Sequence, residues 1–267
     1  MYNISVVIPT YNRAEYINKA VSSVLRQTGQ GNGFEIVEVV VVDDASDDNT
    51  REVIKEIEDA RIIYHRLEKN GGANVARNKG INISTGNWIA FQDSDDEWYI
   101  DKIKKQVEYA NGHTDCDMIT HPFKAFFSDG TDMTTRIVES EKMIEELAKR
   151  NFIGTPTMLI KKEALNDIGG FDVNMKALQD WDLAVRFASK YRIGMVPEVL
   201  LDVNMKVEGI SANASRYYES RCRLISKNRD IFIEHECFDE AVKCMLLHAQ
   251  KNGLLESVGK MLELYLK

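Results

Sequence analysis

The sequence predicts an α/β fold, a mostly parallel central sheet layered between helices, with a helical extension at the C-terminus. Strand-like and helix-like stretches alternate from residue 5 to about residue 111, the pattern that yields parallel strands joined by crossover helices. One stretch, FEIVEVVVV at 34–42, is β-branched and nearly uninterrupted, as in a strand covered on both faces. Polar clusters follow the first, second and fourth strands, TYNR, DDASDD and DSDDEW. In a parallel sheet all three open on the carboxyl edge, where ligands sit in such folds.

Each element has its own signal. SVVIP (5–9) is a short apolar run, and Ile17, Val21, Val24 and Leu25 follow at helical spacing. After the 34–42 strand, Val53, Ile54 and Ile57 form a second helical stripe. RIIYH (61–65) reads as a strand, VARNKGINIS (75–84) as a helix and NWIAFQ (87–92) as a strand. Ile103 and Val107 mark a helix ending near Asn111. The next segment is less regular: AFFSDGTDMTTRI resembles a hairpin turning at Ser128–Gly130. A helix over 141–150, a strand at TMLIK, a helix over 162–168, a break at GGFD, a helix at DWDLAVRFASK and a strand at EVLLDVN follow. Residues 215–267 are helical and amphipathic, and their face is not strongly basic, which favours packing against the domain. Peripheral association with a membrane surface stays open.

The 267 residues suffice for a full core. A net charge of -8 argues against nucleic acid as the main partner. No apolar run approaches the roughly 20 residues of a membrane span. ISVVIP near the N-terminus reads as a strand, without the basic segment and long apolar core of a signal peptide. Four scattered cysteines lack CxxC spacing, so the expectation is a cytoplasmic protein without a disulfide framework. Cys237, Cys244 and His248 fall at helical spacing, and zinc is geometrically conceivable there. Without a tight ligand pair, buried thiols on a helix face with Ala241 and Met245 are the better reading.

Three stretches offer chemistry. In FQDSDDEW, Asp93 and Asp95 end a buried strand, where alternate side chains face the same way. Two hard oxygen donors so placed suit Mn2+ or Mg2+, which take their remaining ligands from phosphates and water. Capping of the next helix would explain the same residues. Asp43 and Asp44 end another strand, where a carboxylate can accept from a nucleobase N–H or a ribose hydroxyl, or shape a turn. NGGANVARNKG (70–80) supplies glycines, backbone N–H groups and Arg77, all suited to an anionic diphosphate. It is neither GxGxxG nor a Walker loop.

Together VVIPTYNRAEYI (6–17), VVVVDDASDDNT (39–50), NGGANVARNKGI (70–81), FQDSDDEW (91–98), GGFD (169–172) and QDWDLAVRF (179–187) resemble a family 2 glycosyltransferase of the GT-A fold. Order and spacing agree over about residues 3–205. The resemblance implies an inverting, metal-assisted sugar transfer from a nucleotide-sugar donor, usually a UDP-sugar, to the hydroxyl of a glycan or glycoconjugate acceptor, at the inner face of a membrane where that acceptor is membrane-bound. It implies that Pro9, Thr10 and Tyr11 border the base, that Asp43 or Asp44 reads uracil or ribose, and that Arg77 lies near the diphosphate. Asp93 and Asp95 become the DxD motif, with Asp95 the direct metal ligand, and Asp180 the catalytic base. It divides the chain into a domain over 1–214, with a nucleotide-binding half (1–111) and an acceptor-binding half (112–214), and the extension 215–267.

Two departures stand out. Gln179 replaces a usual Glu, and DVNMKVEGIS lacks a histidine that often completes the metal site, which water or Asn204 could replace. They keep a non-catalytic sugar-nucleotide binding protein as the alternative. A nucleotidyltransferase ranks lower, because IPTYNRAEY has no glycine-rich basic loop. Trp98 and Trp181 suit stacking on a sugar or a place in the core, the second being preferred.

Overall fold

A computed structural model describes residues 1–127, 129–204 and 214–266, with Asn204 through its backbone only. The turn residue Ser128, the 205–213 part of the histidine-poor segment and the side chain of Asn204 therefore lie outside the described residues. The first half runs β1 (Tyr2–Thr10), α1 (Ile17–Leu25), β2 (Phe34–Asp43), α2 (Thr50–Lys55), β3 (Ile62–Arg66), α3 (Ala73–Ile83), β4 (Trp88–Phe91), β5 (Glu97–Trp98) and α4 (Lys102–Gly112). Then come β6 (Cys116–Thr120), the hairpin β7 (Lys124–Phe126) and β8 (Asp132–Thr134), α5 (Met143–Lys149), β9 (Leu159–Lys161) and α6 (Lys162–Asp167). The chain continues through α7 (Gln179–Ala188), β10 (Arg192–Met195), β11 (Leu201–Asn204), α8 (Ala214–Lys227), α9 (Arg229–Glu234), α10 (Phe238–Lys251) and α11 (Leu255–Leu266).

Seven strands form the main sheet in the order β10-β6-β9-β4-β1-β2-β3. All neighbours are parallel except those of β9, which runs against both β4 and β6. A smaller sheet, β5-β11-β7-β8, stands beside it. Burial on both faces explains the unbroken apolar strands. Ile4, Val6 and Ile8 enter one core layer with α1 and α4, while Val7 enters the opposite layer with α3, α5 and α7. Strand β2 does the same with Val39 and Val41 against Val40 and Val42.

The register of β1 on β2 shifts between Ile4 and Ser5, where Ile36 and Glu38 are the successive partners and Val37 is the extra, exposed residue. This bulge turns Glu38 inward. Its buried carboxylate accepts hydrogen bonds from the hydroxyls of Ser5 (2.6 Å) and Thr85 (3.0 Å). Three strands have no counterpart among the sequence expectations, β5, β6 and β10. The two residues of β5 pair with β11, while β6 and β10, each short and carrying a charged residue, Asp117 or Arg192, become strands by pairing with one another at the sheet edge.

The C-terminal helices share the core of the sheet. Tyr218, Cys222 and Ile225 of α8 and Ala241, Met245 and Ala249 of α10 join Leu147, Trp181 and Phe187 in one apolar cluster. Cys222 and Cys237 are buried as apolar groups, whereas Cys244 is half-buried and its thiol donates to Glu240 (3.4 Å), and His248 Nδ1 lies 2.9 Å from the Tyr218 hydroxyl. Among the described residues no helix is long and apolar enough to cross a membrane.

Gly86 enters β4 where backbone meets backbone. A Cβ there would lie 2.6 Å from the Asn3 carbonyl oxygen and 2.7 Å from the Ser5 nitrogen. Gly86→Ala is expected to destabilise the fold by about 1–3 kcal/mol, because β1 must shift to admit the methyl group. A lowered urea midpoint with unchanged slope is the expected reading.

Candidate active site

The carboxyl ends of β1, β2 and β4 open into a cleft of about 650 Å³. Its lining includes Pro9, Thr10, Tyr11, Asp44, Arg77, Asp93, Asp95 and Asp180, eight of the nine residues expected from sequence. The ninth, Asp43, does not line it. One Asp43 oxygen accepts the Ser46 N–H (2.7 Å), the other accepts the Tyr64 hydroxyl, and the Arg66 guanidinium lies 4.0 Å away. Asp43 therefore shapes the loop after β2. That loop carries Ala45 in the left-handed region (φ 65°), which a non-glycine residue enters at a cost.

Asp44 has the next task. Its two oxygens accept the N–H groups of Gly71 and Gly72, each at 2.7 Å. Those donors looked available for a diphosphate in the sequence; instead they fix the start of α3 against β2. Gly72, at φ 89°, makes that approach possible. The cationic element of this region is Arg77, one turn into α3. Its Nη2 donates to Asp93 at 2.7 Å, while Nε and Nη1 are buried without a protein partner. The Thr10 hydroxyl is likewise buried and unpartnered at the cleft.

Asp93 and Asp95 follow β4 and face this arginine. Burial and the neighbouring Asp93 charge push the Asp95 carboxyl up from its usual range, with Arg13 and Arg77 opposing. Arg13 Nε stands 3.6 Å from Asp95. Among the described residues no three acidic, histidine or cysteine side chains form a metal cluster. Two carboxylates pressed together fit Mn2+ or Mg2+, which need only one or two protein carboxylates when a phosphate supplies further ligands.

Asp180 comes from the opposite wall. The chain enters α7 through left-handed Leu178 (φ 59°), which sets Gln179 and Asp180 on the cleft. Asp180 accepts the Trp181 N–H at 2.8 Å. Desolvation pushes its pKa up to about 6, against the lowering effects of that hydrogen bond and of Arg77. Asp182 faces elsewhere. It is fully buried and binds Arg186 (2.9 Å) and Lys227 (3.0 Å). Trp98 and Trp181 are core residues: Trp181 donates to the Leu147 carbonyl, and Trp98 packs under Lys102 Nζ.

Several supports of the site were not expected from sequence. Asn74 donates to the carbonyls of Asp172 (2.9 Å) and Met175 (3.0 Å), and Asn78 exchanges two hydrogen bonds with the Phe171 backbone. Helix α3 thereby grips the GGFD segment that leads to α7. Gly170 is required there, since φ is 65° and a Cβ would meet Asn78 Oδ1 at 2.7 Å. The smaller sheet supplies an apolar wall of Phe123, Ala125, Phe127, Met133 and Val203. Asparagines on a helix and short strands read as solvent-facing in a sequence, so no local signal marked these residues.

The family model described as "Glycosyl transferase family 2" matches residues 5–169. The chain belongs to glycosyl transferase family 2. A relative of this family 2 chain, the putative teichuronic acid biosynthesis glycosyltransferase TuaG of Bacillus subtilis, is 36% identical over 168 residues, 62% of this chain and 64% of that protein. The chain thus spans slightly under two thirds of that relative. Among solved structures, S. aureus TarS in complex with UDP-GlcNAc superposes with a TM-score of 0.65 at 23% identity, covering 84% of this chain and 65% of that one. The mannosyltransferase PcManGT of Pyrobaculum calidifontis, in complex with GDP-Man and Mn2+, superposes at 0.66 with 20% identity, covering 99% and 81%. The fold of this family 2 chain is accordingly of the GT-A type.

The partition between Asp43 and Asp44 is open to measurement. Asp43→Ala leaves the Ser46 N–H and the Tyr64 hydroxyl without acceptors and should cost about 1–3 kcal/mol. A thermal unfolding scan reads this loss directly.

Proposed function

We propose that the protein is an inverting glycosyltransferase that moves a sugar from a UDP-sugar to a hydroxyl of a glycan or glycoconjugate acceptor. The observation that carries this reading is the meeting of Arg77, with two unpartnered N–H groups, and the recessed carboxylate of Asp180 in one cleft. UDP-GlcNAc in TarS and GDP-Man with Mn2+ in PcManGT support a nucleotide-sugar donor and a divalent ion on the shared fold. The name of TuaG supports a cell-surface glycan as product. A membrane-bound acceptor would call for peripheral association at the inner face.

In this reading Pro9, Thr10 and Tyr11 border the base, Asp44 faces the nucleoside, and Arg77 meets the diphosphate. Asp95, with Asp93, would hold Mn2+ or Mg2+, which when bound neutralises charge on the departing nucleotide diphosphate. Asp180 accepts the proton of the acceptor hydroxyl as its oxygen attacks the anomeric carbon opposite the diphosphate. The new glycosidic bond forms on that face as the bond to the phosphate oxygen breaks, so configuration inverts. A carboxylate with a pKa about 6 is a stronger base than an ordinary aspartate and is still ionised at neutral pH. Gln179 beside it carries no charge, so the base is one carboxylate rather than a pair.

Asp180→Asn should lower the transfer rate by roughly 10²–10⁴ while UDP affinity is kept. The sign of its pH behaviour is fixed. Wild-type rate falls as pH drops through about 6 and the base becomes protonated. A folded-state pKa above the unfolded value also means that Asp180 destabilises the fold as pH rises between about 4 and 6. The asparagine variant should therefore melt no lower than wild type at neutral pH. A capping role, or the non-catalytic alternative, gives the opposite result: a lower melting temperature or no turnover in wild type.

For the metal, Asp95→Ala should abolish the gain in UDP affinity that Mn2+ gives the wild type, since the diphosphate then meets the remaining carboxylates unscreened. Titration calorimetry with and without Mn2+ reads it.

A further inference from the structure

The loop after β1 brings a second cation, besides Arg77, to the two carboxylates of DSD. Arg13 lines the cleft and approaches Asp95, the carboxylate assigned to the metal, at 3.6 Å. This contact is built unlike the Arg77–Asp93 pair. Arg77 is buried on a helix and meets Asp93 at 2.7 Å, whereas the Arg13 side chain is 32% exposed. Beyond that contact its guanidinium makes a long bond, from Nη1 to the Asn12 carbonyl at 3.3 Å.

The backbone at Arg13 is nevertheless held firmly. Its N–H donates to Thr50 Oγ1 (3.1 Å), and its carbonyl accepts from Tyr16 and Ile17 at the start of α1. Asn12 before it is left-handed (φ 51°) and is stitched to the loop after β2 through Ser46 and Asp47. A fixed shoulder and a loosely held arm suit a side chain that changes partner while its root stays still.

We propose that Arg13 is an exchangeable counter-cation: it neutralises Asp95 in the empty cleft, yields that carboxylate to the divalent ion, and turns to the diphosphate that arrives with it. The inference rests on the metal-assisted reading above and adds a donor-binding residue to it. A guanidinium and a divalent ion cannot share one carboxylate edge without strong repulsion. Metal entering alone must expel Arg13 with nothing in return. Metal entering with a nucleotide diphosphate gives the guanidinium a bidentate anionic partner. Metal and nucleotide therefore favour one another by more than their direct contact, and linkage makes the effect equal in both directions.

The experiment measures Mn2+ affinity alone, Mn2+ affinity with saturating UDP, and UDP affinity with Mn2+, in wild type, Arg13→Gln, Arg13→Lys and Asp95→Ala. Arg13→Gln should bind Mn2+ alone roughly two- to fivefold more tightly, the scale of losing one partly exposed ion pair. Its UDP affinity with Mn2+ should fall about tenfold or more, the scale of a charge-assisted hydrogen bond. Arg13→Lys keeps the charge and should leave Mn2+ binding alone near the wild-type value. Unchanged Mn2+ and UDP affinities in Arg13→Gln would show an idle surface pair and overturn the proposal. Weaker binding of Mn2+ alone would overturn it too, since Arg13 would then support Asp95 rather than compete for it. Failure of the underlying reading looks different: wild type and Asp95→Ala would bind Mn2+ equally poorly, with or without UDP.

Discussion

The pair of buried Arg77 with half-buried Asp93 is the interaction around which the cleft is arranged. Asp44, Asp93, Asp95 and Asp180 line one space, and carboxylates so gathered repel unless positive charge sits among them. Arg77 supplies that charge from inside, on a helix with a fixed seat. Asp44 holds its first turn through Gly71 and Gly72, and Gly80 brings it onto Val7, where a Cβ would come within 2.4 Å of a methyl carbon. The same guanidinium lies 5.4 Å from the Phe171 ring centroid. One side chain thus meets the DSD loop, the GGFD segment and the open cleft.

The position of Asp180 depends on the same helix at one remove. Asn74 and Asn78 of α3 hold residues 171–175, and Arg186 of α7 reaches back to the carbonyls of Ile168 and Gly170. Lys227 of α8 closes the arrangement by pairing with both Asp172 and Asp182. Against the desolvation of its burial, Lys227 and Asn174 hold the Asp172 carboxyl down to about 2. The C-terminal helices therefore brace the scaffold of Asp180 as well as enlarging the core. Strain lies along the rim: three of the four non-glycine residues with positive φ among those described are Asn12, Ala45 and Leu178, each beside a loop that opens on the cleft. Polar stitching offsets the cost at Asn12, through Ser46 and Asp47.

The sequence by itself determined the α/β class, because strands buried on two faces must be apolar throughout and helices covering them must be apolar on one side. It also determined which polar clusters reach the carboxyl edge, since that follows from parallel connectivity alone. Eight of the nine residues singled out line one cleft, Asp180 through the family resemblance rather than through strand connectivity. Tertiary structure alone decided the rest. Asp43 and Asp44 are adjacent and chemically identical, yet one is enclosed by Tyr64, Ser46 and Arg66 while the other faces the cleft. Asp180 and Asp182 lie two apart on one helix, which turns them about 200° from one another, so only packing chose the one that faces the cleft. Strands β5, β6 and β10 owe their state to partners distant in sequence. The roles of Asn74, Asn78 and Lys227 were hidden for the same reason. Local pattern reports which faces are apolar, while a polar side chain's partner is fixed only when distant segments meet.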